Sequence, residues 1–244
     1  MAMATAETHY NSHLGPVYSW MLGDLDAAFA RAAAEIEDLP VPSARGMAVD
    51  LGAGLGLHAL PLAQRGFEVV AIDNCPVLLD DLRSRGGAAA IAVHHADLLE
   101  FRRFVTGQAQ LIVCMGDTLT HLPTLTAVDS LLTAAAAALP RGGVFATTFR
   151  DYATSKLAGN QRFILVRADA DRIMTCFLEY QEHQVVVHDL LHEKERGRWH
   201  QSVSSYPKLR LAPTWVMVKL SALGFSVKRD TTAGGMVRLV ATRN

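Results

Sequence analysis

Cysteine is scarce and scattered. Cys75, Cys114 and Cys176 are the only three in 244 residues, and no CxxC pair occurs. That argues against a disulfide framework and a structural zinc site, and it suits a reducing compartment. An excess of either charge is also missing. Lys plus Arg number 23 against 24 acids, a formal net charge of −1, so no overall field favours nucleic acid or an anionic membrane. Nor is there a long apolar run. The greasiest stretch, Leu131 to Leu139, is mostly alanine and too short to cross a bilayer. The opening MAMATAETHY lacks a basic segment followed by an apolar core, so no signal peptide is expected and the chain reads as soluble and cytoplasmic. What remains is ordinary globular material, half apolar and 19% charged, with ample length for a core.

Hydrophobic periodicity supplies the organisation. The first forty residues read as helical, and an Ala-rich run over Leu25–Leu39 carries Phe29 and Ile36 on one face before Pro40 and Pro42 stop it. Short apolar runs at Met47–Leu51, Phe67–Ile72, Ala90–His94, Leu111–Met115 and Val144–Phe149 suit buried parallel strands. Helical patterns at Leu57–Arg65, Pro76–Arg85 and Leu125–Leu139 lie between them. This alternation predicts an α/β fold, a doubly wound, mainly parallel sheet with helices on both faces. After Arg150 the pattern changes. Phe163–Arg167, Ile173–Glu179, Val185–Leu191 and Val203–Leu209 are strand-like with no helix between them, which predicts an antiparallel insertion after strand five. Thr214–Leu223 returns to helix, and Phe225–Arg229 with Val237–Thr242 can close the main sheet as a hairpin. The expectation is one domain over 1–244, with a helical N-terminal lid (1–40) and an embedded antiparallel subdomain (155–211).

The strongest chemical signal is Asp50-Leu51-Gly52-Ala53-Gly54-Leu55-Gly56, where a strand hands over to a helix. Glycines there let backbone approach a ligand at the helix start. Asp73 follows twenty-one residues after Gly52, at the end of the next strand, where a carboxylate can take both ribose hydroxyls. The GxGxG spacing is not that of a dinucleotide site. The preceding acid would repel a pyrophosphate but accept a hydrogen bond from an ammonium. A nucleoside carrying an amino acid fits this combination, and that ligand is S-adenosyl-L-methionine (SAM). The bland alternative is a tight strand-to-helix turn with no ligand.

With these residues the chain resembles the class I SAM-dependent methyltransferases, whose fold is a Rossmann-like, seven-stranded sheet. The resemblance implies that Asp50, Gly52, Ala53, Gly54 and Gly56 hold the methionine part, that Asp73 with Asn74 binds the ribose, and that Asp97 and Leu98 contact adenine. Asp97 can equally cap the turn that follows it. A narrower resemblance, to glycine N-methyltransferase and its relatives, rests on Ile112-Val113-Cys114-Met115-Gly116-Asp117-Thr118-Leu119-Thr120-His121-Leu122-Pro123, on Pro140-Arg141-Gly142-Gly143 with Phe149-Arg150-Asp151-Tyr152, and on Ser205-Tyr206-Pro207. It implies that Met115, Gly116 and His121 line the cofactor pocket near the methyl donor. Arg150 would hold an acceptor oxygen, and Tyr18, Tyr152 and Tyr206 would line the acceptor cavity.

Two departures stand out. Asp117 replaces the family's Asn, which puts a charge where a substrate amine docks. Asp26 replaces an arginine that helps hold the SAM carboxylate. Tyr10, in the polar run Thr8-His9-Tyr10-Asn11, reads as a lid residue over the sulfonium, adding cation–π attraction. Trp20 either joins it there or packs the first helix onto the core.

No metal is expected. His188 and His192 share a strand face but lie roughly 13 Å apart at about 3.3 Å per residue, and they read as solvent-facing. The expected activity is methyl transfer from SAM to a nitrogen or oxygen of a small-molecule acceptor, releasing S-adenosyl-L-homocysteine (SAH). Asp117 or His121 would take a proton, and Arg150 would anchor the acceptor. The alternatives are methylation of a hydroxyl or ring nitrogen in an aromatic secondary metabolite, and a SAM-binding sensor that does not methylate. A small molecule, not nucleic acid or membrane, is the expected partner, and assembly as a homo-oligomer is left open.

Overall fold

The computed structural model describes residues 4–41, 46–87 and 89–244. Pro42, given a helix-stopping role above, lies outside them, as do the first three residues of the expected lid. Seven strands form the main sheet: β1 (Met47–Leu51), β2 (Glu68–Asp73), β3 (Ile91–His95), β4 (Leu111–Cys114), β5 (Val144–Phe149), β10 (Phe225–Thr231) and β11 (Val237–Arg243). Their order is β10-β11-β5-β4-β1-β2-β3, with only β11 antiparallel to its neighbours β5 and β10. The fold class expected from the alternation is thus observed. β4 and β5 are buried along their whole length, the condition that makes central parallel strands read as unbroken apolar runs.

Alternation along each strand then sorts the core into two layers. Val49, Leu51, Ile72, Ile112, Phe145 and Phe149 face α6 (Leu125–Ala138) and α7 (Pro213–Ala222). Ala48, Ala71, Leu111, Val113 and Ala146 face α3 (Leu25–Glu37), α4 (Ala59–Gln64) and α5 (Pro76–Gly86). Local chemistry sets the helix starts. The Asp24 carboxylate accepts from the Ala27 amide at 3.0 Å, and Thr124 Oγ1 accepts from the Ala127 amide at 3.0 Å. Pro76 opens α5.

After β5 the chain builds a second, four-stranded antiparallel sheet, β6 (Phe163–Ala168), β7 (Arg172–Tyr180), β8 (Gln184–Glu195) and β9 (Arg198–Leu209), in that order. The β8–β9 hairpin runs further than the apolar pattern indicated. Residues 192–202 are mostly polar, and cross-strand pairing rather than burial keeps them extended. Arg210 ties this sheet to the core. Its guanidinium donates to the carbonyls of Tyr152 (3.0 Å), Gln181 (2.8 Å), Glu182 (2.7 Å) and Ala153 (3.3 Å).

The N-terminal segment is not one helix. It runs through α1 (Ala6–His9), a π-turn (Tyr10–Leu14), a 3-10 turn (Gly15–Val17) and α2 (Tyr18–Leu22) before α3. Pro16 and Gly23, the latter at φ 82°, enforce the breaks. Leu14 and Val17 pack on Met174 and Leu191 of the inserted sheet, while Tyr10 and Tyr18 also touch Leu55 and Leu78 beside the glycine loop. The segment therefore bridges the two sheets. Among the described residues no helix is long and apolar enough to cross a membrane.

Arg210→Ala removes four charged-donor hydrogen bonds whose carbonyls water can partly reach. We expect a loss of about 1–2 kcal/mol, seen as a fall in Tm of roughly 2–8 °C for a domain of this size. Arg210→Lys should restore little of it, because one ammonium cannot span four carbonyls. A thermal melt identical to wild type for both variants would remove this tie.

Candidate active site

A cavity of about 410 Å³ opens at the carboxyl ends of β1, β2 and β4, the point where strand order reverses and ligands of open α/β sheets bind. Its floor is Gly52, Ala53 and Gly54. Gly52 has φ 78°, and a Cβ there would lie 2.4 Å from Thr118 Cγ2, so only glycine lets the loops after β1 and β4 meet. Asp73, at the end of β2, is aimed by two amides. Gly54 N–H donates to Oδ2 at 2.8 Å and Cys75 N–H to Oδ1 at 2.8 Å, which leaves each oxygen lone-pair capacity for a ligand hydroxyl. Asn74, Asp97, Leu98, Met115, Gly116, His121, Tyr10 and Tyr18 complete the sequence-derived residues that line the cavity. Asp97 caps the turn that follows it, its Oδ1 accepting from the Leu99 amide at 2.8 Å, and the residue also lines the cavity wall.

Asp50 does not line the cavity. It sits 1% exposed beneath the loop, and neither carboxylate oxygen has a hydrogen-bond partner. Burial pushes its pKa up to about 6, against the opposing pull of nearby His58 and the Ala59 amide. An orphaned buried carboxylate beside glycines that admit no Cβ is an arrangement that a positively charged ligand group relieves. The residues present therefore fit a cationic amino-acid nucleoside.

At the other end of the cavity the structure departs from expectation. Gly116 and Asp117 turn the chain at φ 72° and 77°, a left-handed geometry that Asn and Asp tolerate best among side-chain-bearing residues. Asp117 is 4% exposed and saturated. Its Oδ1 accepts from the Arg150 amide (2.8 Å) and Thr120 Oγ1 (3.1 Å); its Oδ2 accepts from Lys208 Nζ (2.6 Å) and Tyr152 Oη (3.4 Å). Burial alone would raise its pKa, but the Lys208 ammonium, with His121 and the Arg150 amide, holds the carboxyl below its ordinary value. Burial likewise works against the charge on Lys208, and Asp117 overcomes it, raising the lysine. His121 is driven down to about 3 by burial and by the Lys208 charge. The two groups expected to take a proton, Asp117 and His121, thus both have their basicity lowered by their surroundings. The bare negative charge expected at Asp117 is neutralised.

Four further sequence-derived residues stand outside the cavity, and Trp20 among them follows the packing alternative. Arg150 is exposed and outside the cavity, and its contribution to the site is its amide. Trp20 also lies outside. Its indole N–H donates to Asp169 at 2.5 Å, and its ring sits between Arg167 and Arg172 at 5.7 and 5.6 Å, which pins α2 to the inserted sheet. Tyr152 and Tyr206 are buried behind the cavity wall, in the inserted sheet's core with Cys176, Leu178, Val185 and Val187.

Two site residues escaped the sequence reading. Lys208 lines the cavity, and its signal was its parity with Tyr206 on one strand. His9 is fully buried, stacks on Tyr206 with centroids 3.9 Å apart, and lies 2.8 Å from Ser204 Oγ and 3.0 Å from Asp189 Oδ2. Nothing local in Thr8-His9-Tyr10 announces that burial. His188, expected to face solvent, is partly sheltered by hydrogen bonds to Ser205 (2.7 Å) and Glu179 (3.0 Å). Among the described residues no three His, Cys, Asp or Glu side chains converge on a metal position.

Breaking a buried pair from one side strands the other charge. Lys208→Met or Asp117→Asn alone should therefore cost about 3–5 kcal/mol, and the double replacement should recover most of that. The pH dependence has two arms. Asp117 is depressed, so its contribution is present above about pH 4 and is lost as pH falls through its lower folded value. Lys208 is raised, so its contribution is present below about pH 10.4 and is lost as pH rises beyond that. Thermal melts from pH 3 to 11 on the four proteins test this, and the double variant should lose both arms.

The comparisons with known proteins agree with this geometry. Residues 48–143 match the family described as "Methyltransferase domain". The glycine/sarcosine/dimethylglycine N-methyltransferase of Actinopolyspora halophila is 36% identical over 77 residues, 30% of this chain but only 14% of that protein. Streptomyces venezuelae DesVI superposes with a TM-score of 0.80 at 16% identity, covering 96% of this chain and 100% of that one. CalS10, an amino pentose methyltransferase from Micromonospora echinaspora solved with SAM bound, gives 0.76 at 19% identity, covering 95% and 97%. Residues 48–143 thus match a methyltransferase domain by sequence, and the chain as a whole has the methyltransferase fold.

Proposed function

We propose that the protein transfers a methyl group from S-adenosyl-L-methionine to a nitrogen of a small-molecule acceptor and releases S-adenosyl-L-homocysteine. The observation that carries this reading is the switch-point cavity. A glycine-rich loop and a doubly aimed Asp73 form one end, and Lys208 and His121 stand at the other. Nitrogen is preferred over oxygen because the named relatives include a glycine/sarcosine/dimethylglycine N-methyltransferase and an amino pentose methyltransferase.

In this reading Asp73 takes the ribose diol, Asp97 and Leu98 the adenine, and the Gly52–Gly54 backbone the amino-acid part with Asp50 beneath it. When bound, SAM supplies a methyl group activated by its sulfonium. The chain's own work is alignment and exclusion of water. Met115 and Gly116 present main chain near the donor. Tyr10 and Tyr18, carried by the N-terminal segment as a lid, close the cavity, and the inserted sheet forms the acceptor wall. His121, driven down by burial and the Lys208 charge, is a neutral imidazole with one donor and one acceptor nitrogen to offer the acceptor.

Asp73→Ala loses a charged hydrogen bond worth about 1.5–3 kcal/mol, so calorimetry should show SAH binding weakened roughly ten- to a hundred-fold. Wild-type affinity would sink the donor assignment, and methyl transfer from labelled SAM to candidate amines tests the activity itself. If Asp50 receives the ligand ammonium, SAH affinity should climb as pH rises through about 6, where this raised carboxyl ionises. Asp50→Asn should flatten that rise, and a pH-independent wild-type affinity would remove Asp50 from the site.

A further inference from the structure

We infer that Lys208 is the specificity-determining residue of the acceptor end, where its ammonium holds an anionic or carbonyl oxygen of the acceptor and turns away acceptors that arrive as cations. The inference rests on the methyltransferase reading above and narrows its substrate class.

The cavity meets the two halves of the buried ion pair unequally. Lys208 is a lining residue, whereas Asp117 is not. The Asp117 oxygens are covered by Thr120, Tyr152, the Arg150 amide and Lys208 itself. Formal neutrality of the pair therefore hides an asymmetry, since the lysine borders the cavity and the aspartate does not. An ammonium carries three donors, and among the described residues only Asp117 Oδ2 accepts from Nζ, at 2.6 Å. Two N–H donors remain for whatever enters. The Tyr152 and Tyr206 rings lie 6.0 and 5.7 Å from Nζ, and the Asp117 contact stops the side chain from swinging away. Lys208 is thus a held donor on a residue only 8% exposed, and a charge-assisted hydrogen bond gains strength where solvent is excluded.

Lys208 is the only Lys or Arg lining the cavity among the described residues. Of the two histidines that line it, His121 beside Lys208 is driven down by burial, and His58 lies by the glycine loop against Glu35 at 3.2 Å. The resemblance assigned oxygen anchoring to Arg150, whose side chain is exposed and outside the cavity. The acids that do line the cavity are set apart. Asp73 and Asp97 belong to the ends of β2 and β3, and Glu7 is exposed, so solvent screens its charge.

The test uses size-matched probes of opposite charge, benzoate and benzylammonium, titrated by calorimetry into SAH-saturated protein at pH 7.5. Benzoate should bind at least ten-fold tighter, and the ratio should survive 0.5 M salt because the ammonium is buried. Lys208→Met alone strands Asp117 and can fail to fold, so the deciding variant is Lys208→Met/Asp117→Asn. There the ratio should shrink to within about three-fold while SAH affinity stays within a few-fold of wild type. Equal binding of the two probes, no binding of either, or a ratio unchanged in the double variant would overturn the inference and leave the SAM reading standing. Failure of SAH itself to bind the wild-type protein would overturn both.

Discussion

The buried contact between Asp117 and Lys208 joins the two halves of the molecule. Asp117 leaves the parallel sheet after β4, and Lys208 comes from the last strand of the inserted sheet, ninety-one positions later. An unpaired charge at that depth would be strongly unfavourable, so each residue commits the other to its place. Around this contact Thr120, Tyr152 and the Arg150 amide satisfy the remaining carboxylate positions. The acceptor end of the cavity is therefore rigid in its polar groups even though its walls come from separate elements.

This pairing also explains why the electrostatics differ from a count of charges. An aspartate in place of a family asparagine suggests a negative pocket. The structure changes the picture, because a lysine neutralises the aspartate, and the lysine rather than the aspartate is a lining residue of the cavity. The same ammonium helps suppress protonation of His121.

The N-terminal segment belongs to the same logic. Its broken path lets Tyr10 and Tyr18 touch the glycine loop on one side and Leu14 and Val17 pack on the inserted sheet on the other. His9 is carried into the inserted sheet against Asp189 and Tyr206. A single continuous helix could not present side chains to both surfaces within so few residues. The breaks at Pro16 and Gly23 are what make the covering possible.

Much of this was legible in the chain. The strands of the parallel sheet are apolar because both faces are buried, and they announce themselves without reference to anything distant. Gly52, Gly54 and Asp73 could be brought together at one end of a cavity because a glycine turn and a carboxylate one strand away are set by local backbone geometry and by the spacing of a single βαβ unit. The place of Asp97 on the same wall follows from the next strand. What only the tertiary structure decided is the acceptor end. Arg150, Trp20, Tyr152 and Tyr206 had the right residue types for a ligand, yet one is exposed, one is clasped by Asp169 and the other two are packed behind the wall. Lys208 had no motif at all. Its role arises where strands from separate parts of the chain converge and place a charge beside Asp117. The sequence determined how each segment would fold. Which side chain faces the cavity depended on contacts between segments far apart along the chain, and no local propensity encodes those.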